Sequence, residues 1–121
     1  MKLISGYIYI PVSNFDKAAK WYNEILGFEI IFTDPLYYGL RSPSGIHIML
    51  IERRGGINSH MIYHDTGEQA VYGFIVNDAE AARAELVSKN VDVRRLSKYQ
   101  GKSFGFYDLD GNIIELWEEP K

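Results

Sequence analysis

The stretch DGNIIELW, residues 110–117, sets one carboxylate, Glu115, inside an apolar run with the character of a strand. Strand alternation puts Ile113, Glu115 and Trp117 on one face, with Ile114 and Leu116 on the other. A carboxylate among apolar neighbours must be wet, hydrogen-bonded or paired with a positive charge, because desolvation alone is costly and raises its pKa. Glu115 can therefore anchor a cationic or hydrogen-bond-donating ligand, act as a general base, or be a structural acid held by phenols or an arginine. No second catalytic group sits at a secure position, so ligand anchoring is the favoured reading and no catalytic residue is assigned. A metal-free enzyme would use Glu115 as base with Tyr7 or His47 as its partner.

The other candidate groups are histidines and aromatics. His47 lies two residues before Met49, so both face the same way in a strand, as a polar site contact or a satisfied structural histidine. His60 and His64 have the spacing of a helical metal clamp, but Gly55, Gly56, Asn58 and Gly67 surround them with loop chemistry, which predicts a solvated connector. The chain has 9 Tyr, 6 Phe and 2 Trp, and Tyr7 with Tyr9 alternate together as Glu115 does with Trp117. Such side chains suit planar or amphipathic small molecules, and with a single acid they favour cationic, ring-containing ones. Trp21, Tyr22 and Phe28 fit packing between helix and sheet better.

An internal repeat positions these residues. YIYIPVSNFDKAAKWY (7–22) lies over VYGFIVNDAEAARAEL (71–86), matching Val12 with Val76, Asn14 with Asp78 and Ala18 with Ala82. Each copy reads as strand, cap and amphipathic helix. Asn14 caps the first helix and Gly27 stops it, with Phe15, Ala18, Ala19, Tyr22, Ile25 and Leu26 as its apolar stripe. Asp78 caps the second, with Ala79, Ala82 and Leu86 inside. Strands are expected near 28–33, 36–42 and 45–52, then near 91–97, 102–107 and 112–118. SPSGIHIMLIE (42–52) overlies DLDGNIIELWE (108–118), so Gly45 matches Gly111 and Met49 matches Glu115. The expected architecture is α+β, with two tandem βαβββ modules forming a curved mixed sheet around a cleft. One domain spans 1–121, with module 1 at about 1–52, a polar connector at about 53–69 and module 2 at about 70–121.

Composition narrows the function further. The 121 residues suit one ordinary domain, and 46% are hydrophobic, enough for a core. The net charge is −3 and the 13 Lys and Arg are scattered, which argues against nucleic-acid or membrane partners. Without cysteine there is no disulfide, thiolate zinc site or cysteine nucleophile. The opening MKLISGYIYIPV is broken by Ser5, Gly6 and Pro11, so a secretory leader is not expected and a cytoplasmic location is.

FDKAAKWYNEILGFEI and the closing FYDLDGNIIEL resemble the vicinal oxygen chelate superfamily, which includes glyoxalase I, extradiol dioxygenases, fosfomycin-resistance enzymes and bleomycin-binding resistance proteins. The resemblance covers essentially the whole chain, with Leu109 where the family's closing turn often has proline. It implies the glyoxalase/bleomycin-resistance-like fold. It also implies metal ligands on the opening and last strands of each module, which here are Tyr7, Met49, Val71 and Glu115. Only Glu115 suits a divalent cation, since alkyl and thioether groups do not and a neutral phenol is weak. The expectation is a metal-independent small-molecule-binding protein of the bleomycin-resistance type, without a cofactor. Its ligand, cationic or aromatic, would meet Tyr7, Tyr9, His47, Met49, Val71, Glu115 and Trp117. The resemblance further implies a homodimer. The alternative is a glyoxalase- or dioxygenase-like lyase or oxygenase, with Glu115 as ligand to a divalent metal or as general base.

Overall fold

The computed structural model describes residues 1–56, 60–63 and 67–121. They form two compact units, Met1–Asn58 and Ser59–Lys121, with the boundary inside the expected connector. The architecture is α+β, built from two βαβββ-like modules of mixed sheets. No helix among the described residues is long and apolar enough to cross a membrane.

The first unit runs β1 (Tyr7–Val12), α1 (Phe15–Leu26), β2 (Glu29–Thr33), β3 (Tyr37–Arg41) and β4 (His47–Glu52). Its sheet order is β1-β4-β3-β2, with β1 parallel to β4 and the other pairs antiparallel. The ends of α1 follow from local chemistry. The Asn14 side chain accepts from the Lys17 amide at 2.9 Å, and Gly27 takes the left-handed conformation, φ 78°, that ends the helix. Ala18, Ala19 and Tyr22 are buried from the helix side, and Ile10, Val12, Leu40, Ile48 and Leu50 from the sheet side. Alternation leaves the opposite faces of β1 and β4 uncovered by α1.

The second unit begins with a pairing that the sequence reading did not expect. Within the polar connector, read from its glycines as loop, β5 (His60–Tyr63) and β6 (Gly67–Ala70) form an antiparallel two-stranded sheet. The glycines taken as loop signals flank or begin these strands, and Gly67, φ 82°, opens β6 in a conformation glycine tolerates. A three-stranded sheet follows, ordered β7-β9-β8, from β7 (Gly73–Ile75), β8 (Lys102–Tyr107) and β9 (Ile113–Glu118), with α2 (Ala79–Ser88) between β7 and β8. The α2 N-terminus is held twice. Asp78 accepts from the Ala81 amide at 3.0 Å, and Glu118 at the end of β9 accepts from the Ala79 amide at 2.9 Å. Phe104, Phe106, Ile114 and Leu116 are buried with Ala79 and Leu86.

The strand expected at 91–97 is an interrupted ladder. Val93 bridges Phe106 and Ser97 bridges Ser103, a slip of one residue between the two contacts. The first unit has the same slip, where β2 pairs Ile30 with Leu40 and then Phe32 with Gly39. The turns before the last strands also correspond. Ser42 Oγ accepts from the Ile46 amide at 2.9 Å, whereas Asp108 Oδ1 accepts from the Asp110 and Asn112 amides at 2.8 and 2.9 Å. Gly45 and Gly111, φ 96° and 83°, provide the left-handed step in each.

Candidate functional site

In the first unit the expected residues do share a face. Tyr7 stands beside His47 and Tyr9 beside Met49 in the parallel ladder, while their neighbours Ile10, Ile48 and Leu50 are buried on the other side. Tyr7 and Tyr9 are 61% and 50% exposed, which leaves their rings available to a ligand. The rings meet edge to face, 5.4 Å between centroids, and hydrogen bonding with the Tyr7 phenol raises the Tyr9 pKa above the ordinary tyrosine value.

These residues line a groove of about 340 Å³, a size in the range of small-molecule sites. Sequence reasoning missed its wall, Phe32, and its floor, Gly39. The Phe32 ring lies where a Gly39 side chain would be, so the missing side chain is what admits the ring. Phe32 also meets Tyr37 edge to face at 5.8 Å.

In the second unit Glu115 occupies the β9 position that Met49 holds in β4, and both of its cross-strand neighbours are glycines. Gly73 pairs with it from β7 and Gly105 from β8. A side chain at Gly73 would collide with the Glu115 backbone carbonyl, so the close approach of these strands requires glycine there. Glu115 is half-buried, and its carboxylate has no hydrogen bond or ion pair with any described residue. The structural reading of an acid held by phenols or an arginine is therefore not supported among those residues.

Other expectations need adjustment. Val71 lies two residues before β7, 49% exposed, and the register neighbour of Glu115 is Gly73. Likewise Tyr9, not Tyr7, is the neighbour of Met49. Trp117 shares the face of Glu115, but its indole N–H donates to the Gln100 carbonyl at 2.8 Å, so its polar edge is already engaged. His60 falls in β5, and His64 lies outside the described residues.

Three further polar groups accompany this face. The Arg94 stem crosses Gly105, with its Cδ 3.1 Å from where a side chain would begin, and its Nη1 donates to the Glu68 carbonyl at 3.0 Å. The Tyr107 hydroxyl donates to Glu68 Oε1 at 3.0 Å. Burial raises the Tyr107 pKa, and the bond to the Glu68 carboxylate adds to the rise. The one sequence signal for this arrangement was that Gly39 overlies Gly105 when Met49 overlies Glu115.

The residues do not fit a divalent metal. The four positions carry a phenol, a thioether, an isopropyl group and one carboxylate, and no group of three or more His, Cys, Asp or Glu among the described residues could hold an ion.

A family model described as Glyoxalase/Bleomycin resistance protein/Dioxygenase superfamily matches residues 4–116. No curated protein matches the chain. Among solved structures, TnmS3, an antibiotic binding protein from Streptomyces sp. CB03234, is similar with a TM-score of 0.78 at 21% identity over 98% of each chain. A superfamily member from Sphaerobacter thermophilus DSM 20745 gives 0.73 at 24% over 98% of each. Lactoylglutathione lyase from Agrobacterium tumefaciens gives 0.68 at 15%, over 97% of this chain and 92% of that one. At these identities the likeness concerns the fold alone.

Proposed function

This chain belongs to the Glyoxalase/Bleomycin resistance protein/Dioxygenase superfamily, and on that footing we propose that it is a metal-independent protein that binds ring-containing, positively charged small molecules. The observation that carries the reading is the groove walled by Tyr7, Tyr9 and Phe32 on the uncovered face of the first sheet. Flat apolar rings bearing polar hydroxyls suit a planar guest and leave its polar rim hydrated. On the second sheet, the unengaged carboxylate of Glu115 offers attraction to a cation. The antibiotic-binding role of TnmS3 supports a small organic ligand as the class.

An unengaged carboxylate also has the character of a general base. Both of its cross-strand neighbours are glycines, however, so the ladders supply no acid beside it. Binding is the reading better supported.

The test is a thermal-shift panel of aromatic amines, including phenethylamine and tryptamine, with and without divalent metals. At least one amine raises the melting temperature without metal. Glu115→Gln weakens that amine about tenfold or more, equivalent to about 1.4 kcal/mol or more, and leaves the ligand-free melting temperature nearly unchanged. Tyr9→Ala tests the groove of the first unit separately and weakens a ring-containing guest bound there. Absence of any shift, a shift that requires metal, or a shift indifferent to both substitutions would overturn the proposal.

A further inference from the structure

The two copies fill equivalent positions with opposite chemistry. In the first, the side chain lying over the β3 glycine is Phe32, and the neighbouring β4 residue is Met49. In the second, the side chain lying over the β8 glycine is Arg94, and the neighbouring β9 residue is Glu115. The fold itself does not call for charge at these positions, since the first copy builds the same bulged ladder with a phenyl ring and a thioether. A half-buried arginine and glutamate at matching positions thus require another account.

Their geometry supplies one. Gly105 is the register partner of Glu115, and such partners carry their side chains on the same face, about 5 Å apart. With its Cδ 3.1 Å from the missing Gly105 side chain, the Arg94 stem lies over the register partner of Glu115. The two side chains form no ion pair with each other. Arg94 instead gives Nη1 to the Glu68 carbonyl, a backbone acceptor in β6 that holds the guanidinium in place. One of five N–H donors is used in this way, and the others have no partner among the described residues. Glu115 retains all its acceptor capacity. Neither cross-strand neighbour sets a side chain of its own against the carboxylate, since both are glycines.

We propose that Arg94 and Glu115 form a recognition site for a zwitterionic head group of the α-amino-acid type, with the carboxylate bound by Arg94 and the ammonium by Glu115. This rests on the reading of Glu115 as a cation anchor and adds an anion to the ligand. Arginine suits the carboxylate because its planar fork can donate two parallel hydrogen bonds. A ligand with both charges leaves neither protein group desolvated and unpaired, whereas one with only a cation leaves Arg94 without a counter-charge.

Three probes sharing one phenyl ring separate the possibilities: phenylalanine, with both charges; phenethylamine, with the cation alone; and 3-phenylpropanoate, with the anion alone. By titration calorimetry on the full chain, phenylalanine binds at least tenfold more tightly than either of the others. Arg94→Met keeps an apolar stem over Gly105 and reduces phenylalanine to the level of phenethylamine, and Glu115→Gln reduces it to the level of 3-phenylpropanoate. Equal binding of phenylalanine and phenethylamine by the unmodified protein would overturn the zwitterion site while leaving the cation-binding proposal standing. Equal binding of phenylalanine and 3-phenylpropanoate would overturn both, as would absence of binding by all three. The comparison among probes needs no variant, so an unstable Arg94→Met protein does not remove the test.

Discussion

Gly39 shows how much a single missing side chain decides. The Phe32 ring rests on its bare backbone, so Gly39→Ala must drive the ring off the floor of the groove. Overpacking of this kind costs about 1–3 kcal/mol, and the expected result in urea denaturation is a loss of that size together with a weakened response to aromatic amines. An unchanged denaturation midpoint would show that the ring does not depend on this glycine. The shared face of Tyr7, Tyr9, His47 and Met49 was legible in the sequence because alternation in a strand leaves few options. What covers a glycine was not legible. Phe32 and Arg94 reach their places only through a one-residue slip in pairing, and a slip has no local signature as plain as a cap or turn. Val71 was misplaced for a related reason, since the overlay of the copies cannot tell where β7 begins.

Elements and their ends were more legible, because caps and stops act locally. Asn14, Gly27 and Asp78 bound the helices as their chemistry demands. The β5–β6 pairing was missed because glycine-rich polar sequence signals turns more strongly than it signals short strands. That pairing bears on stability through Tyr107, which ties β8 to β6 by its bond to Glu68. The Tyr107 pKa is raised above the ordinary value of about 10, first by burial and then by the Glu68 carboxylate. A group whose pKa is raised on folding favours the protonated form there. Its contribution is complete below about pH 10 and is lost as pH climbs through the higher folded value. Melting temperatures measured from pH 8 upward should therefore fall more steeply above about pH 10 for the unmodified protein than for Tyr107→Phe. Parallel curves would remove Tyr107 from the account. Tyr9 and Tyr38, whose pKa values are also raised, are common to both proteins.

At the scale of the whole molecule, a fold shared with lactoylglutathione lyase carries, among the described residues, no group of three or more His, Cys, Asp or Glu that could hold a divalent ion. Protein dialysed against EDTA should then melt at the same temperature as protein before dialysis, because no folding free energy comes from coordination. A fall of several degrees would reveal a structural metal and count against the binding proposal. The net charge of −3 is too small to direct binding, so under the binding proposal selectivity rests on the placement of individual charges. The alternation within β4 and β9 carries a consequence for how such a protein changes over time. Ile48, Leu50, Ile114 and Leu116 are locked into the interior, whereas Met49 and Glu115, interleaved with them, face away from the helices. Mutation can rewrite the latter without disturbing the former, and the divergence of Met49 from Glu115 across the two copies is already one such rewriting. A lineage built on this scaffold can drift from one guest to another by exchanging a few alternate side chains, with its folding left intact.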